Sequence, residues 1–288
     1  MRISIMRGLL LYNIKAGKGR VAKRLDRIVA EFTKEGIDIE PKLIDFADNP
    51  FNGYEDIDLV VICGGDGTIN YVVNQMREKG IDPLIGIIPA GTANDFAGAL
   101  GMPKDYVKAA RKIAQGTECR VDCGEVNGRY FVNVLSFGVL TTTSQQTSDR
   151  AKHRYGKLAY VWVGLKDLVT MHGIKLKVKV DDEVFDANAL MLLVFNGETA
   201  GRFQLARGAK VDDGLFDVLV LEKRNPVAAC MSMVRYLFRG KPRAVRHLRS
   251  SLVEIYADGE ERTDVDGQPG PSFPMYVRCE AGALRVRK

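Results

Sequence analysis

The sequence predicts an α/β protein in two parts, an N-terminal domain built on a parallel sheet and a C-terminal antiparallel β-sandwich domain. Strand signals alternate with amphipathic helix signals over roughly the first 120 residues, the pattern of a parallel sheet covered by helices. Beyond residue 122, apolar and polar residues alternate with a period of two, which is typical of antiparallel strands. The length of 288 residues is about that of two domains.

The elements of the first domain follow from apolar spacing and from residues that end helices. We predict strands over residues 8–13, 42–46, 58–63 and 83–88. Helices are predicted from Val21 to a left-handed cap at Gly36, and over residues 69–79, 94–100 and 106–114. We place this domain at residues 1–122, with a strand over 281–288 as a candidate to return to its sheet.

The second domain is placed at residues 123–280. Its predicted strands cover residues 174–180, 189–195, 215–221, 252–257 and 275–280. Two helices are predicted between them, over 157–171 and 226–238, the second with Asn225 as its N-cap and Pro226 at its first position.

Composition and charge narrow the class of protein. The chain is 46% hydrophobic and 27% charged, which is typical of a globular protein. The apolar start over residues 3–11 is broken by Arg7, so it predicts a first strand rather than a signal peptide. Five cysteines without CxxC spacing suit a reducing compartment, and we expect a cytoplasmic protein. The net charge of +6 predicts a polyanionic partner, either nucleotide, anionic lipid or nucleic acid.

A glycine-rich turn is the sharpest signal for chemistry. The GGDGT loop, residues 64–68, stands between a buried strand and an amphipathic helix. Its glycines let the backbone approach a phosphate, while the helix start supplies N–H groups and a positive dipole end. Asp66 beside an anionic phosphate predicts a Mg²⁺ ion between the two. The alternative is a plain turn in which Asp66 caps the helix.

Two further loops follow predicted strands. The GTAND loop, residues 89–96, has a glycine, a hydroxyl and an acidic residue at the mouth of a helix. The N-terminal loop, residues 13–19, has glycines and lysines. Its glycine spacing also mimics the dinucleotide fingerprint of redox enzymes, with Asp38 in the place of the ribose-binding acid, although its lysines favour phosphate. Loops on neighbouring parallel strands are expected to face one crevice.

Three motifs carry a family resemblance. Residues 64–70, 86–96 and 212–217 together resemble the diacylglycerol kinase catalytic family, in its soluble bacterial lipid-kinase branch. The resemblance runs in order from Leu10 to the C-terminus. GGDGT alone is shared with NAD kinases and phosphofructokinases, whereas GGDGT together with GTANDF is far more specific.

The resemblance implies a nucleotide-binding first domain and an active site in the interdomain cleft. There, ATP with Mg²⁺ would phosphorylate the hydroxyl of diacylglycerol to give phosphatidate. It implies catalytic roles for Asp66 and Asp95, and a structural Mg²⁺ held by Asp213 with the main-chain carbonyls of Lys210 and Leu215. The implied cofactor-binding residues are Asn13, Lys15, Gly17, Gly19, Gly64, Gly65, Asp66, Gly67, Thr68, Asn70, Thr92 and Asn94.

One departure from the family pattern concerns the acceptor side. Gln268 stands where the family has a glutamate that is the presumed general base, and glutamine cannot accept the hydroxyl proton. Loss of a general base slows a reaction by about 10²- to 10⁴-fold, so Asp266 or Asp264 is a candidate substitute. Two smaller departures are Ile14 in place of a proline and Tyr71 in place of a glutamate.

A basic segment over residues 235–249 holds six Lys or Arg and no acid. Such a segment suits peripheral docking on an anionic membrane that presents the lipid substrate, and the alternative is a solvated helix face. Residues 150–157 add four positive charges. Nucleic acid is a weaker explanation because no recognition helix is recognisable. A homodimer is left open.

Three other functions remain as alternatives. An NAD kinase or another small-alcohol kinase would use the same GGDGT loop. A weakly active or silent nucleotide or lipid sensor is suggested by Gln268. A redox dehydrogenase is the least favoured.

Overall fold

The structure is a computed structural model that describes residues 5–14, 16–138, 173–223, 235–236, 245–259 and 261–288. Tertiary contacts divide the chain into two units. The first is Met1–Cys123 with Ala200–Arg202 and Ala281–Lys288, and the second is Gly124–Thr199 with Phe203–Glu280. The predicted helix over 157–171, all of the helix over 226–238 except residues 235–236, and the basic stretch 150–157 lie outside the described residues.

A four-stranded parallel sheet forms the centre of the first unit. Its strands are β1 (Arg7–Tyr12), β2 (Asp38–Leu43), β3 (Leu59–Gly64) and β4 (Leu84–Pro89), in the order β2-β1-β3-β4. All neighbouring pairs are parallel. Every residue of β3 and β4 is buried, as expected for strands that are covered on both faces.

The helices of the first unit are α1 (Leu25–Lys34), α2 (Asp66–Lys79), α3 (Asp95–Ala99) and α4 (Tyr106–Gln115). Two short 3₁₀ turns, Ala16–Gly19 and Ala22–Arg24, precede α1. Gly36 follows α1 with φ +71°, so the predicted left-handed cap is confirmed.

The second strand was placed wrongly, at 42–46. It begins at Asp38 and contains Pro41, which lacks an N–H group and is tolerated because β2 is an edge strand of this sheet. Ile44 and Phe46, whose apolar character displaced the prediction, lie beyond the strand.

The second unit is built from antiparallel strands. Its strands are β5 (Glu118–Val126, shared with the first unit), β6 (Arg129–Phe131), β7 (Val134–Gly138), β8 (Ile174–Val180), β9 (Glu183–Phe195), β10 (Thr199–Ala200), β11 (Phe203–Gln204), β12 (Phe216–Glu222), β13 (Val245–Ser250), β14 (Leu252–Ala257), β15 (Thr263–Val265), β16 (Gln268–Pro269) and β17 (Met275–Arg287). Their buried side chains form one apolar core, in which the rings of Phe131 and Phe216 stack 5.5 Å apart. The predicted fold class is confirmed.

Three strand predictions needed correction. The strand predicted over 189–195 begins six residues earlier, at Glu183. β17 is one continuous strand, whereas the sequence pattern suggested separate strands over 275–280 and 281–288. Its last part belongs to the first unit, where Val286 pairs with Ile85 in parallel and Lys288 exchanges backbone hydrogen bonds with Thr117. Residues 245–249, predicted as part of a basic amphipathic segment, lie in β13, which pairs with β12.

No helix within the described ranges is long and apolar enough to cross a bilayer.

Candidate active site

The GGDGT loop joins β3 to α2. Gly65 is the N-cap of α2 and its carbonyl accepts hydrogen bonds from the N–H groups of Thr68 (2.9 Å) and Ile69 (3.0 Å). The helix therefore starts at Asp66, three residues before the apolar periodicity begins. An added Cβ on Gly64 would lie 2.5 Å from the Cβ of Thr68, so the first turn closes only over glycine.

The GGDGT and GTAND loops touch through their glycines. A Cβ built on Gly91 would lie 2.4 Å from the Cα of Gly65, and a Cβ on Gly65 would lie 2.8 Å from the Cα of Gly91. The N–H group of Ala90 also donates to the carbonyl of Gly64 at 2.8 Å. The two loops therefore form one backbone surface at the carboxyl edge of β3 and β4.

Asp66 and Asp95 lie at the same turn. Asp66 Oδ1 accepts a hydrogen bond from the backbone N–H of Phe96 at 3.1 Å, so it caps α3. Asp95, the neighbour of Phe96, is 8% exposed, and its two carboxylate oxygens lie 3.0 and 3.4 Å from the backbone nitrogen of Arg202. Two carboxylates are thus gathered beside the glycine contact.

Asn94 shapes the GTAND loop. It has a left-handed backbone (φ +58°), and its side-chain Oδ1 accepts from the N–H of Gly91 at 2.7 Å. Its Nδ2 donates to the carbonyl of Gly91 at 3.0 Å. These bonds hold the loop closed around Gly91. Thr92, beside it, is exposed, and its carbonyl accepts from the guanidinium of Arg202.

The N-terminal loop adjoins the GTAND loop. The N–H of Gly17 donates to the carbonyl of Ala90 at 2.8 Å, and the carbonyl of Asn13 accepts from Ala16 at 2.9 Å. Gly17 (φ +58°) has no room for a side chain, because a Cβ there would lie 2.3 Å from the hydroxyl of Tyr106. Gly19 and the GGDGT residues Gly67 and Thr68 are half-buried. The predicted contact Lys15 lies outside the described residues.

Asn70 lies in the interior of α2. It is 3% exposed, and Asn74 Nδ2 donates to its backbone carbonyl at 2.9 Å. Tyr71, which follows it, donates its hydroxyl to the carbonyl of Asp48 at 2.8 Å. Burial raises the pKa of this phenol, so Tyr71 is neutral near pH 7 and does not reproduce the acid expected there.

The acceptor-side residues lie on a hairpin of the second unit. β15 and β16 are joined by Asp266 (φ +50°) and Gly267 (φ +86°), the backbone of a tight two-residue turn. The carboxylate of Asp266 accepts from three backbone N–H groups: those of Val132 (2.7 Å), Asn133 (3.0 Å) and Val134 (2.9 Å). Asp266 therefore anchors the turn.

The two other acceptor-side residues differ in exposure. Gln268 is exposed on β16, where it pairs with Val265. Asp264 is 5% exposed, and its Oδ1 accepts from the N–H of Gly267 at 2.8 Å. Both aspartates that could replace the base thus carry hydrogen bonds that shape the hairpin.

The residues implied for a structural Mg²⁺ do not fit the ion in this arrangement. Asp213 Oδ1 accepts from the N–H of Leu215 at 3.2 Å, and Oδ2 is bound by the guanidinium of Arg249. A cationic side chain thus already neutralises Asp213. Lys210 is exposed.

The basic residues of β13 are paired with acids. His247 Nε2 lies 2.5 Å from Oδ1 of the buried Asp217, and Arg249 binds Asp213. Arg246 lies 3.4 Å from Glu222. This part of the basic segment is therefore a strand with compensated charges rather than an unpaired amphipathic face.

One contact and one residue of the site were missed from the sequence. The glycine of the GTAND loop was recognised, but not its close approach to Gly65. Arg202 gave no signal, because it lies 107 residues beyond Asp95 in the chain.

Three loops at the carboxyl edge of a parallel sheet, with two carboxylates among them, are typical of enzymes that act on phosphate groups. Residues 7–126 match the family model of the diacylglycerol kinase catalytic domain. Residues 133–288 match the YegS C-terminal NAD kinase beta sandwich-like domain. The chain belongs to the diacylglycerol kinase family, which confirms the resemblance seen in the sequence.

Individual relatives agree with this assignment. A diacylglycerol kinase of Staphylococcus saprophyticus is 32% identical over 277 residues, covering 93% of this chain and 90% of the relative. One of Bacillus subtilis is 30% identical, covering 93% and 91%. The crystal structure of a diacylglycerol kinase from Bacillus anthracis superposes with a TM-score of 0.82 at 25% identity, over 99% of this chain and 98% of that chain. The protein is accordingly an enzyme of the lipid-kinase class, and membership of a kinase family implies ATP as the phosphoryl donor.

Proposed function

We propose that the protein transfers the γ-phosphate of ATP to the free hydroxyl of diacylglycerol, or of a related lipid alcohol, to give phosphatidate. The observation that carries the proposal is the gathering of Asp66 and Asp95 beside the contact between Gly65 and Gly91. Bare backbone and paired carboxylates at the end of a parallel sheet are what a metal-bound polyphosphate requires.

The glycine loops bind the nucleotide in this proposal. Backbone N–H groups at the start of α2 face the phosphates, since the first turn of a helix carries N–H groups without intrahelical partners. The N-terminal loop adds contacts from Asn13 to Gly19, and Thr92 adds its hydroxyl. Asn94 acts through the loop shape that it maintains around Gly91.

Asp66 and Asp95 fit a magnesium ion. Both are carboxylates, the ligands that Mg²⁺ prefers, and the two oxygens of a carboxylate can take several partners at once. When bound with ATP, the ion would neutralise charge on the phosphate oxygens during transfer. Asp66 and Asp95 would hold the ion in place, and the glycine loops would orient the phosphates.

The acceptor side lacks a carboxylate at the position of the family's base. Gln268 can donate to and accept from a hydroxyl but cannot remove its proton. Because transfer through a loose transition state depends mainly on positioning, the reaction continues without a base, slower by about 10²- to 10⁴-fold. This same residue favours the second candidate function, a weakly active sensor of nucleotide or lipid.

The membrane is the expected source of the substrate. We propose that the protein is cytoplasmic and contacts an anionic bilayer peripherally, because its net charge is +6 and diacylglycerol is insoluble in water. The likeness of residues 133–288 to an NAD kinase sandwich keeps NAD as the competing acceptor.

The test is a transfer assay with the purified protein. ATP labelled in its γ-phosphate and Mg²⁺ are offered with mixed micelles of diacylglycerol, with other lipid alcohols, and with NAD. Label that appears in phosphatidate but not in NADP supports the proposal. Label in NADP alone replaces it by NAD kinase activity, and nucleotide binding without transfer to any acceptor supports the sensor.

A further inference from the structure

Arg202 contacts the GTAND loop through both its backbone and its side chain. Residues Ala200–Arg202 belong to the first unit, although they lie between two stretches of the second. The backbone N–H of Arg202 lies 3.0 Å from Asp95 Oδ1, and its guanidinium donates to the carbonyl of Thr92. One residue therefore touches a predicted catalytic aspartate and a predicted nucleotide contact.

The backbone of Arg202 is unusual. Its φ is +70°, and Gly201 before it has φ +58°, so the pair forms the tip of the short hairpin between β10 and β11. A residue with a side chain costs on the order of 1 kcal/mol in this left-handed region, where glycine is preferred. Turn geometry and the Asp95 bond need only the backbone, so neither accounts for an arginine here.

The side chain supplies what glycine lacks. Arg202 is exposed and its positive charge lies at Thr92, on the edge of the surface where Gly65 and Gly91 meet. A guanidinium can bind a phosphate through two parallel hydrogen bonds to a fully charged acceptor, whereas the Thr92 carbonyl is a single neutral acceptor. A phosphate at this surface would therefore compete successfully with the Thr92 carbonyl.

We propose that Arg202 is a further nucleotide-binding residue, whose guanidinium binds the terminal phosphate of ATP while its backbone holds Asp95. The inference rests on the proposed function, since it requires ATP at the glycine loops. It assigns the two parts of the residue separate tasks, and these can be separated by substitution.

Arg202→Gly is the informative variant. Glycine adopts φ +70° freely and keeps the N–H group that donates to Asp95, so only the guanidinium is lost. Arg202→Lys keeps a positive charge without the planar fork. Arg278→Gln is the matched control, because Arg278 is a surface arginine of the second unit, 61% exposed.

Affinities for ATP, ADP and AMP are measured by titration calorimetry with Mg²⁺ for the wild type and the three variants. We expect Arg202→Gly to weaken the binding of ATP by about 10- to 100-fold, which corresponds to the loss of a charged hydrogen bond. The affinity for AMP should be unchanged. Arg202→Lys should lose less of the affinity for ATP, and Arg278→Gln should bind ATP as tightly as the wild type. In the transfer assay, Arg202→Gly should raise the KM for ATP.

Three results overturn the inference, and they distinguish its failure from that of the proposed function. If Arg202→Gly loses equal affinity for ATP, ADP and AMP, or loses no affinity for ATP, a contact with the terminal phosphate is excluded. The kinase proposal would remain in place. A wild type that binds none of the nucleotides would remove the proposed function itself. The thermal midpoint of each variant is measured first, and if Arg202→Gly does not fold, the ratio of ATP to ADP affinity in Arg202→Lys decides.

Discussion

The carboxylate of Asp66, the first residue of α2, accepts a hydrogen bond from the backbone N–H of Phe96 in α3 at 3.1 Å. The bond joins two loops that are 30 residues apart in the chain. It places the acidic residue of the GGDGT loop at the start of the helix that follows the GTAND loop. Asp66 thus has a structural contact and a proposed catalytic task, which substitution can separate.

Asp66→Asn should abolish most activity without unfolding the protein. The amide oxygen can still accept from Phe96, but the negative charge for Mg²⁺ is lost, and we expect the transfer rate to fall by about 10²- to 10³-fold. Asp66→Ala should also lose the cap, at about 0.5–2 kcal/mol of unfolding free energy. Initial rates and urea denaturation measure the two effects. An active Asp66→Asn would contradict the proposed role.

Gly91→Ala should destabilise the first unit. Its Cβ would lie 2.4 Å from the Cα of Gly65, backbone that can yield only by moving the loop. Overpacking of this kind costs about 1–3 kcal/mol. Gly98→Ala is the matched control, since Gly98 is an exposed residue of α3 whose Cβ would meet nothing within 4 Å. Urea denaturation should show that Gly98→Ala is at least as stable as the wild type. Equal stabilities of Gly91→Ala and Gly98→Ala would refute the close contact.

Gln268→Glu should raise turnover on a lipid alcohol. A carboxylate at this exposed position restores a group that can take the hydroxyl proton, and we expect at least about a 10-fold rise in kcat. Gln268→Met keeps the length of the side chain without the carboxylate and should give no rise. A lower or unchanged kcat in Gln268→Glu would show that the hairpin does not face the acceptor.

Arg249→Ala should make stability respond to magnesium. In the wild type the guanidinium occupies the carboxylate of Asp213, so we expect the same urea midpoint with Mg²⁺ and with EDTA in the absence of nucleotide. Without Arg249 the carboxylate can bind the ion, and saturation at 100-fold over Kd adds about 2.7 kcal/mol. Asp213→Asn should remove any such response. A wild type that is stabilised by Mg²⁺ through Asp213 would contradict the poor fit described above.

Glu31→Gln should lose stability only above acidic pH. Arg111 and Lys34 bind the two carboxylate oxygens at 2.7 and 2.6 Å and lower the pKa of Glu31 from 4.5 to about 2. The folded state therefore favours the ionised form. The stabilisation is fully present above pH 4.5 and is lost as the pH falls through about 2. Urea denaturation of both proteins from neutral to acidic pH should show their difference shrinking, and a constant difference would exclude this ion pair as its cause.

The glycine loops were predictable because their signal is local. Strand, glycine turn and helix follow one another within about 20 residues, and the strand order of a parallel sheet brings such turns together. The cap of Asp66 on Phe96 and the contact of Arg202 with Asp95 were not predictable in this way. Each depends on backbone geometry between distant segments, for which residue type gives no pattern.

The errors in the second unit have a similar cause. Val245–Ser250 was interpreted from its own charges, whereas its partners Asp213 and Asp217 lie about 30 residues earlier and neutralise them. Val134–Gly138 and Arg129–Phe131 were missed because both strands are too short to show alternation. The buried carboxylate of Asp266 binds the backbone of the first strand at Val134.

Strand β17 has a consequence for biosynthesis. The first unit includes Ala281–Lys288 but otherwise ends near Cys123, apart from three residues. At about 5–20 residues per second, the intervening stretch of roughly 160 residues takes on the order of ten seconds or more to translate. During that interval the nascent parallel sheet on the ribosome lacks the segment that pairs with Ile85, and its unpaired edge is open to chaperones and to aggregation.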